Sequence, residues 1–318
     1  MSFSLWLNPR AMHIPDGFLN IGVALVCWGI SLILLGMAAR KTRGVLGERQ
    51  VPLMGIMAAF IFAAQMINFP VAGGTSGHLL GGVLAAVTLG PWAAMLVMAS
   101  VIGVQALLFQ DGGLLVMGAN ILNMGLLTAL IGYGLYRSVL GRPLRLRLAV
   151  IGVAAWLSVV AGALATSLEL WLSGTAPLRL VVPAMLGVHA LIGLGEAFIT
   201  VAAVAFIART RPDVFGAQSA SASGGRGWVI SGGLLSLLVV LLAPFASASP
   251  DGLERVAHDM GFIANAADSP IRVLGGYAIP WLGNTPLSVV LAGLLGVLVV
   301  GGVAWGISRA LMARPAQH

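Results

Sequence analysis

Charge is what this sequence has least of. Only 8% of its 318 residues are Asp, Glu, Lys or Arg, where a water-exposed surface carries roughly a quarter. With 59% hydrophobic residues and a mean hydropathy of +1.00, the chain belongs in a bilayer, and a large soluble catalytic domain is excluded. Cysteine is nearly absent. The single Cys27 lies in an apolar stretch, which rules out an internal disulfide framework and a cysteine metal cluster and leaves a small core residue. The glycine-rich GGTSGHLL at residues 73–80 lacks the GK[ST] ending of a phosphate loop, and no HExxH is present. Neither a nucleotide site nor a zinc peptidase helix is encoded.

What is there is a series of apolar runs, near 20–39, 51–68, 79–90, 92–109, 114–136, 148–172, 183–208, 228–246 and 286–308. At about 20 residues per crossing these predict an all-α polytopic membrane bundle of about nine helices. The third run is short and precedes Pro91, so residues 79–109 read as two crossings or as one broken element. The basic residues fall between runs. Placing the N-terminus outside puts 13 of the 17 in cytoplasmic segments, around Arg40 to Arg49, Arg137 to Arg147, Arg209 to Arg226, and Arg309 with Arg314. The positive-inside rule therefore selects N-out and C-in. Their scatter also argues against a nucleic-acid face, despite a net charge of +7.

Residues 211–227, rich in Ser, Ala and Gly, read as a cytoplasmic linker. They separate a seven-crossing unit at 12–210 from a two-crossing unit at 228–318, whose outer loop spans about 247–284. Residues 1–11 form an N-terminal extension. Small residues at Ala154, Ser158, Gly162 and Thr166, and the pair Gly302 and Gly306, predict close helix packing.

Of five histidines, two stand in unusual company. His13 lies in MHIPDGFL, where Pro15, Asp16 and Gly17 enforce a turn, and His78 lies among glycines in SGHLLGG. Both are expected at the outer face. Two imidazoles without cysteine suit nickel, copper, zinc or iron, and a planar all-nitrogen set favours Ni(II) or Cu(II). A histidine in second position can add a terminal amine and a backbone amide to its ring nitrogen. Met12 and His13 would do so if Met12 were the first residue, with His78 as the fourth nitrogen. Gln110, Asp111, Asn120, Asn123, His189 and Glu196 are candidates for orienting the ligands or lining a pathway. His258, in SPDGLERVAHDMGF, reads as an exposed residue on a short amphipathic helix at 253–260. His318 is expected to play no part.

MHIPDGFL, SGHLLGG and QALLFQDGGLLVMGANILNMG together resemble the CbiM/NikM family over about residues 12–210. SPDGLERVAHDMGF resembles the PDGLE accessory module. The resemblance implies the substrate-capture subunit of an energy-coupling-factor importer for nickel or cobalt. Such a subunit is not itself an enzyme and holds no permanent cofactor; it works with a coupling transmembrane protein and ATPase subunits in a bacterial inner membrane. It also implies Met12, His13 and His78 as metal ligands. As written, the Met12 nitrogen is a peptide amide, so the expectation is a chain that begins at Met12 by translation or processing. Nickel is the expected cargo. Cobalt uptake for cobalamin synthesis is the alternative within the family. A proton-driven transporter using His189 and Glu196, and an intramembrane metallohydrolase, are the alternatives from other classes.

Overall fold

The computed structural model describes residues 13–211, 227–271 and 273–312. The expectations for residues 1–11, Met12, most of the linker and His318 fall outside this range. Among the described residues eleven α-helices run in chain order. The first is α1 (Ile21–Thr42), capped by the Asn20 side chain, which accepts from the Val23 N–H. It is followed by α2 (Gln50–Gln65) and an antiparallel hairpin of β1 (Phe69–Val71) and β2 (Thr75–Gly77). The expected crossing at 51–68 thus ends early. Its last residues turn into the hairpin that delivers His78.

The run at 79–90 forms only an eight-residue helix, α3 (Gly82–Leu89). At about 1.5 Å per residue it reaches ~12 Å, less than half of a hydrocarbon core of about 30 Å. Gly90, with φ +83°, breaks the chain between α3 and α4 (Pro91–Val104). Nearly every residue of α3 is buried, which permits irregular backbone at its ends. Beyond α4 a π-helical turn at Gln105–Phe109 leads to Gln110 in a left-handed conformation. Then α5 (Met117–Asn120), a second π-helical turn at Ile121–Leu126 and α6 (Leu127–Tyr136) make one continuous rod. Two long helices follow, α7 (Leu144–Leu172) and α8 (Leu178–Thr210). The second unit comprises α9 (Gly227–Leu242), α10 (Gly252–Asp259) and α11 (Pro286–Leu311).

Among the described residues six helical stretches are long and apolar enough to cross a membrane: 21–42, 91–109, 117–139, 144–172, 178–210 and 286–311. Residues 50–65 and 229–245 are shorter apolar helices. The protein is a multi-pass membrane protein. Its two ends are distinguishable by contact: the Gly44 N–H donates to the Leu311 carbonyl at one end, whereas Thr175 donates to the Phe18 carbonyl at the other.

The small-residue stripe on α7 faces the interior, with Ala154 and Ser158 fully buried and Gly162 against the Asn123 carbonyl. The Gly302 and Gly306 expectation is corrected. Neither glycine has any atom within 4 Å of where a Cβ would stand. Helix α11 instead meets α2 one helical face away, through Gly296 against Phe62 and Gly301 against the Gly55 carbonyl.

Candidate metal site between the two units

His13 and His78 are 65 residues apart in sequence, yet their rings stand 5.8 Å apart between centroids, edge to face. An imidazole bound at ~2 Å has its centroid about 3 Å from the metal. Two rings on one metal are therefore about 4.5 Å apart at right angles and about 6 Å apart when opposed. The observed spacing fits one shared ion.

Glycines make this convergence sterically feasible. A Cβ on Gly112 would stand 2.9 Å from the His13 Cβ, and one on Gly113 would stand 2.1 Å from an Asp16 oxygen. The Asp16 carboxylate accepts from the Leu114, Leu115 and Val116 N–H groups at 3.0, 2.9 and 3.2 Å, tying the His13 turn to the start of α5. Asn120 completes the tie. Its Oδ1 accepts from the Ile14 N–H and its Nδ2 donates to the Ile14 carbonyl, both at 3.0 Å.

On the other side, β2 ends at Gly77, whose missing Cβ leaves room for Ile192. The loop after His78 is clamped by Glu196, which accepts from the Leu80 and Gly81 N–H groups at 2.6 and 3.1 Å. Glu196 therefore holds the backbone that carries His78 and is not among the residues lining the cavity. His189 does line it, with Nδ1 2.8 Å from the Met185 carbonyl. Asn123 also lines it, and its amide donates to Thr166 and Glu169. Gln110 lies apart from these. It donates to the Ile271 carbonyl at 2.9 Å, bridging to the second unit.

Asp111 reaches His13 directly. His13 Nδ1 lies 2.9 Å from the Asp111 carbonyl and 3.1 Å from its carboxylate, while His13 Nε2 is buried without a hydrogen-bond partner. Tyr277 of the second unit donates to the same carboxylate at 2.5 Å. Burial alone would lower the His13 pKa, but the Asp111 charge and hydrogen bonds outweigh it and raise it. Burial, with His13 nearby, pushes His78 down to about 4, leaving a neutral ring able to ligate.

The cavity between them measures about 80 Å³, room for an ion and a few waters rather than a drug-sized molecule of several hundred Å³. No group of three or more His, Cys, Asp or Glu among the described residues is arranged to hold a metal. Any further donors to an ion held by the two imidazoles would come from backbone or from other side chains of the lining, which includes Ser76, Asn120, His189 and Asp251.

Sequence reasoning missed several contributors. Ser76, Asp251, Gly252 and Leu253 line the cavity, and Tyr277 and Glu169 orient groups around it. The His258 side chain is about half exposed and is not among the lining residues, as expected.

A membrane bundle with a small histidine-lined cavity at one end has the form of a metal-handling membrane protein. The chain belongs to the CbiM family, the cobalt uptake substrate-specific transmembrane region, whose model matches residues 13–214. The PDGLE domain matches residues 226–313. Among its relatives, the putative fused nickel transport protein NikMN of Archaeoglobus fulgidus is 34% identical over 94% of this chain and 98% of its own length. The fused nickel transport protein NikMN of Rhodobacter capsulatus is 31% identical over 95% and 98%. A crystal structure of a truncated transition metal transporter aligns with a TM-score of 0.56 and 36% identity, covering 63% of this chain and 99% of that one.

Proposed function

We propose that this chain captures a divalent transition metal at the outer end of the bundle, as the substrate-specific membrane component of an energy-coupling-factor importer. Nickel is the preferred cargo and cobalt the second. The observation that carries the reading is the His13 and His78 pair at 5.8 Å beside a small, partly open cavity. The relatives that span both units are named as nickel transport proteins, whereas a shorter match, at 30% identity over 74% of this chain, is the cobalt transport protein CbiM of Geobacter sulfurreducens. Their names support nickel over cobalt for a chain with both units.

Met12 supplies the amine, His13 its amide and ring, and His78 the fourth nitrogen, in a chain that begins at Met12. Chelation through the His13 amide closes a ring through Nδ1, the nitrogen now facing Asp111. Loading therefore turns the imidazole away from Asp111. About nine crossings with N-out orientation place the site outside and the basic loops inside, where a coupling protein and ATPase subunits of a bacterial inner-membrane complex supply the energy.

Purified protein beginning at Met12 and carrying both units binds Ni(II) as a yellow, diamagnetic complex, and His78→Ala abolishes it. Full-affinity binding by His78→Ala would sink the site. Intact-mass measurement on metal-loaded protein from the native source shows a first residue of Met12; an active, loaded chain retaining Met1 refutes the amine ligand. Competition of Ni(II) against Co(II) at equilibrium decides the cargo.

A further inference from the structure

The second unit does more than flank the bundle. Asp251, Gly252 and Leu253 form part of the cavity wall, and Ser249 and Pro250 lead into it. The Ser76 N–H donates to the Pro250 carbonyl and the Ser76 hydroxyl to the Ser249 carbonyl, each at 2.8 Å, so this segment pairs alongside the strand that carries His78. Gly252 is seated so closely that a Cβ there would stand 2.6 Å from the His189 ring. Gly17, in the His13 turn, is equally tight against the second unit, with its Cβ position 2.0 Å from the Asn265 carbonyl. The apolar face of α10, with Leu253, Val256 and Ala257, is buried with Ile14 and Phe18 in one cluster.

This seating poses an electrostatic problem. The N-terminus of α10 meets the cavity, and a helix N-terminus presents positive charge, the wrong sign for an incoming dication. The amine and the imidazoles are neutral ligands, and the His13 amide, which gives up its proton to bind, offsets only one of the two charges. Burying the remaining positive charge without a partner is costly. Asp111 stands behind His13, where Tyr277 also holds it. Asp251 lines the cavity itself, 8% exposed, and its Oδ1 accepts from the Glu254 N–H at 2.6 Å, capping α10. Burial pushes its carboxyl pKa up to about 7, and an approaching dication favours the ionised form.

We propose that the PDGLE unit completes the metal site, and that the Asp251 carboxylate is the counter-charge that draws the divalent cation into the cavity between His13 and His78. It acts without joining the nitrogen ligand set. This inference rests on the metal-capture reading above, and its test separates the two.

Asp251→Asn keeps a side-chain oxygen able to cap α10 while removing the charge, and Asp251→Ser does the same should the amide variant fail to fold. Ni(II) association is followed by rapid mixing with the two-unit protein beginning at Met12, in detergent, at several salt concentrations. The neutral variants associate about tenfold more slowly than wild type and lose most of the salt dependence. Asp259→Asn, which removes an exposed carboxylate of the same helix, associates like wild type. If the neutral Asp251 variants keep the wild-type rate and salt dependence while His78→Ala fails to bind, the counter-charge proposal is overturned and the site stands. If His78→Ala binds like wild type, the metal-capture reading itself fails.

Discussion

Asp16 shows how one side chain can organise a site without facing the ligand. Its two oxygens gather three consecutive N–H groups just before α5, donors that a helix start leaves unpaired. Asp16→Ala strands them in a part-buried region, at about 1–3 kcal/mol for each donor that finds no water. The variant melts at lower temperature in detergent and binds Ni(II) more weakly, because the His13 turn and the Gly112 backbone lose their common anchor. Asp16→Asn retains an accepting oxygen and keeps most of both. At this scale the sequence was readable in part. Pro15, Asp16 and Gly17 announced a turn, and His13 and His78 announced themselves by scarcity and company. Asp16's partners lie about 100 residues away, and Ser76 meets Pro250 across 174. No local pattern encodes such pairings.

Elements were legible where the apolar run was long and poorly legible where it was interrupted. Helices α1, α7, α8 and α11 follow from hydropathy alone. The β1–β2 hairpin was missed because Phe69 to Val71 continues the apolar run of α2, and three-residue strands leave no alternation to detect. Both π-helical turns were equally invisible. They insert an extra residue per turn and sit at Gln105–Phe109 and Ile121–Leu126, beside Asp111 and around Asn123, consistent with the tendency of π-turns to mark functional sites. The choice of glycines on α11 also needed three dimensions, since spacing favoured Gly302 and Gly306 while packing uses Gly296 and Gly301. Gly296→Leu drives a side chain into Phe62 and Phe109, whose rings lie 2.1 and 2.9 Å from the Cβ position. The expected loss is about 1–3 kcal/mol, read as a lowered melting temperature. Gly302→Leu, facing open space, melts like wild type.

For the whole molecule, the scarce charges and the histidine site make one argument about orientation. The turn at Gly174 and the turn at Gly261 belong with the His13 end, since Thr175 contacts Phe18 and Phe262 packs on Phe18 with ring centroids 5.1 Å apart. Gly44 and the end of α11 lie at the opposite end, among Arg40, Lys41 and Arg309. If the basic end is cytoplasmic, the cavity opens to the medium from which metal must be taken. Thiol labelling in intact cells tests this directly. In a Cys27→Ser background, Gly174→Cys and Gly261→Cys react with a membrane-impermeant reagent added outside, and Gly44→Cys reacts only after the membrane is permeabilised. The three glycines have no atom within 4 Å of a Cβ position, so the new side chains meet no neighbour there. Gly44 and Gly261 adopt a positive φ, as does Gly174, and the resulting backbone strain is of similar kind at all three sites. Labelling of Gly44→Cys from outside would invert the bundle and put the histidine pair on the cytoplasmic side, where it could not serve capture.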